Sequence, residues 1–174
     1  MSQNTPITLD NLNNLPKTEA QQWFSQCCAA PNWFSAMCDA RPYGSPAELV
    51  QQAQTAWKAC NQADYLMAFE AHPMIGDVNS LREKYAATKA IASKEQQGAN
   101  EADEATLQAL ADANHQYLKQ HGFIFIICAT GLSAQTMLEA LQVRLDHDTQ
   151  TEIKLAAAEQ LKITLLRLEK GIQL

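Results

Sequence analysis

The residues best suited to proton chemistry in this 174-residue chain lie in Glu70-Ala71-His72-Pro73-Met74-Ile75-Gly76-Asp77. A helix-like apolar segment, Tyr65-Leu66-Met67-Ala68-Phe69, runs into the histidine and stops. Pro73 fixes its own φ, removes a backbone donor and pushes His72 out of helical geometry. Gly76 allows a turn, and Asp77 can cap the next helix. A side chain that titrates near neutrality thus sits at a helix end on stiffened backbone. That suits a proton donor, and it is also an ordinary way to end a helix. Two further stretches are unusual. Ser93-Lys94-Glu95-Gln96-Gln97-Gly98-Ala99 sets an acid among amides and a hydroxyl beside a glycine; the plain alternative is a solvated loop. Phe123 to Gly131 is a nearly non-polar run ending in Ala-Thr-Gly. It can present backbone N–H groups to a ligand or simply fill the core.

Other chemistries find less support. There is no phosphate-binding glycine loop, no dinucleotide fingerprint and no H-E-x-x-H. His115 and His121 are six apart, on different sides of a helix, which disfavours a shared metal. His147 follows Asp146 near a helix end, where a capping or dipole role fits. The cysteines, Cys27, Cys28, Cys38, Cys60 and Cys128, are odd in number and form no C-x-x-C pair. They read as free thiols in a reducing cytoplasm. Cys128 lies between Ile127 and Ala129, with no local charge to hold a thiolate.

The elements that must position these residues read almost entirely as helices. Thr8-Leu9-Asp10-Asn11 starts one, with Leu9, Leu12 and Leu15 at helical spacing. Pro16 separates it from a helix near Thr18 to Ala29, and Pro31 opens another with Trp33, Phe34 and Met37 on one face. Arg41-Pro42-Tyr43-Gly44 is a turn. Ser45-Pro46-Ala47-Glu48 combines a cap, a proline suited to the first helical position and a capping box, opening a helix to about Cys60. Asn61 marks a break before the segment ending at His72. Helices are expected from Asn79 to about Ala92, Ala105 to Gln120 and Leu132 to Leu145. His121-Gly122 ends the second of these, with a cation near the C-terminus and a glycine after it. Thr149-Gln150-Thr151-Glu152 is a second capping box, and the terminal helix runs to about Lys170, burying Leu155, Ala158, Leu161, Leu165 and Leu168. The run Phe123 to Gly131 has no strand of similar character to pair with. It is expected to be a buried extended segment or a short helix.

With no repeat and no linker, the pattern is all-α: one helical-bundle-like domain of about eight helices spanning residues 1–174. The length suffices to bury a core without disulfide or metal. The net charge of −6 argues against nucleic acid and anionic membranes as partners. No apolar run approaches a membrane span, and the amino terminus lacks signal-peptide character, so a cytoplasmic location is expected.

Taken together, His72-Pro73-Met74-Ile75-Gly76-Asp77, Glu95-Gln96 with Gly98-Ala99, and Gly122 to Ala129 resemble the 2-oxo-4-hydroxy-4-carboxy-5-ureidoimidazoline (OHCU) decarboxylase family. Ala40-Arg41-Pro42-Tyr43 fits the family's Arg-Pro-aromatic turn, and Arg144-Leu145 and Arg167-Leu168 also fit. Three positions depart from the pattern: Ala92 stands where the family commonly has Ser, Ile124 where it often has Pro, and His147 where it often has Asn. The first leaves a hydroxyl contact to be made from Ser93 or lost.

The resemblance implies decarboxylation of OHCU to (S)-allantoin in urate breakdown, with no cofactor and no metal. The carboxylate leaves a carbon next to a ring C=N, which can accept the electrons, so positioning, desolvation and proton management suffice. In this reading His72 is the general acid and Pro73 fixes it. Glu95 bonds the substrate hydroxyl or orients His72, and Gln96 meets the ureido or ring carbonyl. Ala92, Ser93 and Lys94 flank the substrate. Backbone groups of Phe125, Ile126, Ile127, Cys128 and Ala129 receive it, and Arg167 pairs with its carboxylate. A homodimer and association with hydroxyisourate hydrolase are implied in the same way. A helical interaction module and a metal-dependent hydrolase are the rival readings.

Overall fold

Short polar side chains set where the helices begin. The computed structural model describes residues 6–74, 78–83 and 99–173, with backbone only for 99–103. Thr8 caps α1 (Leu9–Asn14) by accepting from the Asn11 N–H. Pro16 and Pro31 precede or open α2 (Lys17–Cys27) and α3 (Pro31–Asp39). Ser45 caps α4 (Pro46–Lys58) through the Glu48 N–H, with Pro46 in the first turn. The expected capping box there is displaced by one residue. The Glu48 carboxylate accepts from Gly44 N–H at 2.7 Å, in the turn before the cap. A complete box lies instead at Asn61 and Asp64, opening α5 (Gln62–Glu70). Asp64 also accepts from the Asn32 amide at 3.2 Å, tying α5 to α3. Residues 78–83 are helical; the rest of the helix expected to about Ala92 lies outside the described residues. Then come α6 (Ala99–His121), α7 (Ala134–Leu145, capped by Ser133) and α8 (Thr149–Gly171). Two residues near each end of the chain, β1 (Ile7–Thr8) and β2 (Ile172–Gln173), pair in parallel, with Ile7 opposite Ile172. The all-α expectation holds apart from this small ladder.

The chain divides into two compact units, residues 1–72 with 157–174, and residues 73–156. In the first, Phe24 packs edge-on against Trp23, Trp33 and Tyr43. The buried indoles bond backbone carbonyls: Trp33 to Ala53 at 3.0 Å and Trp57 to Ala157 at 2.9 Å. Arg41 donates to the carbonyls of Leu12 and Leu15, both at 2.8 Å, and of Cys38 at 3.1 Å. It thereby closes the C-terminal end of α1, where helix carbonyls lack partners and a cation is favoured. The Arg-Pro-aromatic turn is thus a fastening between helices. Gly171 has its own constraint: a Cβ there would lie 2.8 Å from the Trp23 ring.

The terminal helix buries Leu168 as expected, and Leu161 and Leu165 are half-buried, but the buried stripe is shifted from the expected one. Ile153, Ala156, Ala157, Gln160, Thr164 and Leu168 are buried, whereas Leu155 is exposed and Ala158 is too. The leucines suggest one phase. The true stripe includes two polar residues, Gln160 and Thr164, that an apolar pattern passes over.

In the second unit α6 packs on α7, and Gly122, at φ 80°, turns the chain out of α6. His121 ends α6 as expected, with its Nδ1 3.0 Å from Thr149 Oγ1. It is buried, and burial lowers its pKa. Residues 123–129 form neither helix nor strand. Their backbone is satisfied in part by a buried guanidinium: Arg144 Nη1 donates to the Ile126 carbonyl at 2.6 Å. Arg144 also pairs with the fully buried Glu152 at 2.7 Å, and Tyr117 donates to the same carboxylate. His147 Nδ1 lies 2.8 Å from the other Glu152 oxygen, so its partner is this carboxylate and not a helix end. The second expected capping box is therefore absent. Asp148 caps α8 through the Thr151 N–H at 2.8 Å, and Glu152 turns inward.

Burial pushes the Glu152 carboxyl up, but its bonds from Arg144, Tyr117 and His147 outweigh this and hold it below the ordinary value of 4.5. The depressed pKa means its stabilisation is present above the carboxylate range and lost as pH falls through the folded pKa. Arg144→Met leaves the Glu152 charge without its main partner and is expected to cost roughly 3–5 kcal/mol in denaturant unfolding. Glu152→Gln should flatten the acid limb of stability against pH; an unchanged limb would place the acid sensitivity elsewhere.

Candidate active site

His72 stands where α5 ends. The Asn61–Asp64 box fixes the start of that helix, its apolar residues Ala68 and Phe69 are buried, and the His72 N–H bonds the Phe69 carbonyl at 3.1 Å. The proline after it prevents another turn. The ring is half-buried, and its Nε2 lies 2.6 Å from Oε1 of Gln160 on α8. Gln160 Nε2 donates to Thr164 Oγ1 at 3.1 Å, and that hydroxyl donates to the Gln160 carbonyl at 2.9 Å. Burial lowers the His72 pKa below 6.5; the Gln160 bond opposes this, and the Arg167 charge adds to it.

Gln160 also lines a cavity of about 270 Å³ with Ser25 and Gln26 of α2, Ala68 and Ala71 at the end of α5, and Arg167 of α8. Arg167 Nη1 donates to the Cys27 carbonyl at 3.1 Å, at the C-terminal end of α2, so the guanidinium is anchored where the helix dipole favours a cation. Hydroxyl, amides and one guanidinium around a volume of this size suit a small, polar anion. Among the described residues no group of three metal-ligating side chains gathers, and no described helix is long and apolar enough to cross a membrane.

Of the residues singled out in the sequence, His72 and Arg167 fall in this one unit, the first hydrogen-bonded to Gln160 and the second lining the same cavity as Gln160. Pro73 follows as exposed, irregular backbone. Phe125, Ile126, Ile127, Cys128 and Ala129 belong to the other unit. There the Ile126 carbonyl accepts from Arg144, and that of Ala129 accepts from the Leu132 N–H at 3.1 Å. Ala92, Ser93, Lys94, Glu95 and Gln96 lie outside the described residues. Sequence reasoning misses Gln160, Thr164, Ser25 and Gln26. A signal for the first two exists: polar residues four apart inside the stripe that also holds Ile153, Ala157 and Leu168.

Residues 13–169 match the family model described as OHCU decarboxylase. The chain is 36% identical over 145 residues to the Uric acid degradation bifunctional protein TTL of Arabidopsis thaliana, covering 83% of this chain and 44% of that protein. It is 25% identical over 163 residues to the 2-oxo-4-hydroxy-4-carboxy-5-ureidoimidazoline decarboxylase of Haloferax volcanii, covering 93% and 94%. The chain spans less than half the length of the bifunctional relatives, 44% of the plant protein and 34% of PucL from Bacillus subtilis. A solved OHCU decarboxylase, crystallised in the presence of (S)-allantoin, matches with a TM-score of 0.68 at 35% identity over 86% of this chain and 96% of that one. An (S)-allantoin synthase at 19% identity and a TM-score of 0.70 shares the fold.

The two cysteines next to Arg167 are poor nucleophiles. Burial pushes the Cys27 thiol up to about 12 and raises Cys28 as well, despite the guanidinium. Iodoacetamide at pH 8 should leave both unmodified in the folded protein and modify both in denaturant, as peptide mass mapping would show. Rapid labelling of either in the native state would place a thiolate at this site.

Proposed function

The chain belongs to the OHCU decarboxylase family, and from that premise we propose that it converts OHCU to (S)-allantoin and CO2 in the breakdown of urate, without a cofactor. The observation that carries this reading is His72, held at a proline-stopped helix end and hydrogen-bonded to a buried amide that lines a cavity with Arg167. The substrate is a compact, amide-rich anion. Arg167 takes its carboxylate by bidentate pairing. Loss of CO2 leaves an electron pair that the adjacent C=N delocalises. His72 then delivers a proton to one face of the ureido-bearing carbon of that C=N, while the hydroxyl proton passes to the ring nitrogen and the hydroxyl carbon becomes the carbonyl, giving a single enantiomer.

Glu95 is the second catalytic group in this proposal. A carboxylate beside the imidazole favours its protonated form, which the acid role needs, because burial and Arg167 both lower the ring's pKa. Gln96 and the backbone of Phe125 to Ala129 meet the ureido and ring carbonyls, with Ala92, Ser93 and Lys94 beside them and Pro73 stiffening His72. The unbroken family match supports residues 1–174 acting as one decarboxylase domain. A homodimer, a cytoplasmic location and a working association with hydroxyisourate hydrolase belong to the same reading, the last supported by the bifunctional relatives.

The test supplies OHCU freshly made from urate and follows its ultraviolet decay together with the circular dichroism of the allantoin formed. Fast, single-handed product is expected; the slow racemic background alone would leave a binding module. His72→Ala should lose about 10²–10⁴-fold in rate with far-UV helicity retained, and near-normal turnover would remove the acid role. Glu95→Gln should shift the basic limb of kcat/KM to lower pH, because losing the carboxylate lowers the pKa of an acid that must be protonated.

A further inference from the structure

The bonds around Gln160 determine more than the position of His72. Thr164 has a single O–H. Its oxygen lies 2.9 Å from the Gln160 carbonyl, to which the hydroxyl donates. Toward Gln160 Nε2, at 3.1 Å, the Thr164 oxygen therefore accepts. This orients the amide, with NH2 toward Thr164 and Oε1 toward the imidazole. Both side chains are 1% exposed, so water does not offer Gln160 another arrangement. An amide oxygen only accepts, and at 2.6 Å it requires a proton on His72 Nε2. The charge among the described residues that bears on the ring, Arg167, brings no competing acceptor.

We propose that Gln160, held by Thr164, is a positioning residue that fixes neutral His72 as the Nε2–H tautomer, so that the proton given to the substrate leaves from Nδ1. The proposal rests on the general-acid role of His72. In the step, the Nδ1–H bond breaks and its electrons remain on Nδ1. The pair left by departing CO2 becomes a C=C bond to the ureido-bearing carbon of the adjacent C=N, whose nitrogen takes the substrate's hydroxyl proton. As the hydroxyl carbon becomes C=O, that C=C pair forms the new C–H bond at the ureido-bearing carbon. The imidazole left behind is the tautomer that Gln160 already accepts from, so the transfer needs no rearrangement at Nε2.

Long-range ¹H–¹⁵N spectra of histidine-labelled enzyme, assigned with His72→Ala, report the tautomer independently of activity. In the neutral form the unprotonated nitrogen of His72 is expected to be Nδ1; finding it at Nε2 overturns the proposal. Gln160→Met keeps the volume but removes the acceptor. It should admit the Nδ1–H form, lower kcat roughly 10- to 100-fold with KM little changed, and move the basic limb to lower pH. Gln160→Glu restores an acceptor, so it should keep the Nε2–H form and move that limb to higher pH. A Gln160→Met enzyme with wild-type kcat, limb and tautomer also overturns it. In a His72→Ala background Gln160→Met should cost nothing further. If His72→Ala itself turns over normally, the acid reading fails while the tautomer assignment still stands on its spectrum.

Discussion

Buried polar groups must find partners inside the protein, and among the described residues three of the six buried polar or charged side chains lie on one helix, α8. Glu152 and Gln160 lie two turns apart on α8, and neither is exposed by more than 1%. Each is satisfied by side chains from elsewhere in its own unit: Glu152 by Arg144, Tyr117 and His147, Gln160 by His72 and Thr164. An unpaired carboxylate or amide at either place would be costly. Those partners are consequently fixed in position, and with them the Ile126 carbonyl in one unit and the imidazole in the other. The helix acts as a rail of acceptors against which otherwise irregular or terminating backbone is set.

The same constraint explains why the candidate site can be assembled from helix ends. His72 and Arg167 each meet a helix terminus, the first by being one and the second by closing the end of α2. Terminal carbonyls and N–H groups lack partners within their own helix, so they are natural anchors for polar side chains. A cation held by a backbone carbonyl is pre-oriented and gives up less freedom on meeting an anion.

How much of the chain can be read without its fold depends on how local each signal is. The stop at His72-Pro73 depends on two adjacent residues and is plain. So are the caps at Thr8 and Ser45. Glu152 misleads because its position in Thr149-Gln150-Thr151-Glu152 fits a cap, whereas a guanidinium eight residues earlier decides its direction. The phase of α8 misleads because leucines on both flanks outweigh two polar residues whose roles depend on the fold. The bond between His72 and Gln160 spans 88 residues, and no periodicity encodes it. Among the described residues Phe123 to Gly131 has no strand partner, as its sequence suggests. Its solution, a buried arginine supplying the missing donor, is legible only after folding.

The unit that holds His72 is made from both ends of the chain. Trp57 bonds Ala157, Cys27 receives Arg167, and Ile7 lies beside Ile172. A ribosome delivers residues in order, so residues 1–72 emerge long before 157–174 can join them, while 73–156 form a continuous stretch. Until the last helix is synthesised, the imidazole lacks its amide and α2 lacks its closing cation. The imidazole is therefore made well before the helix that completes its surroundings.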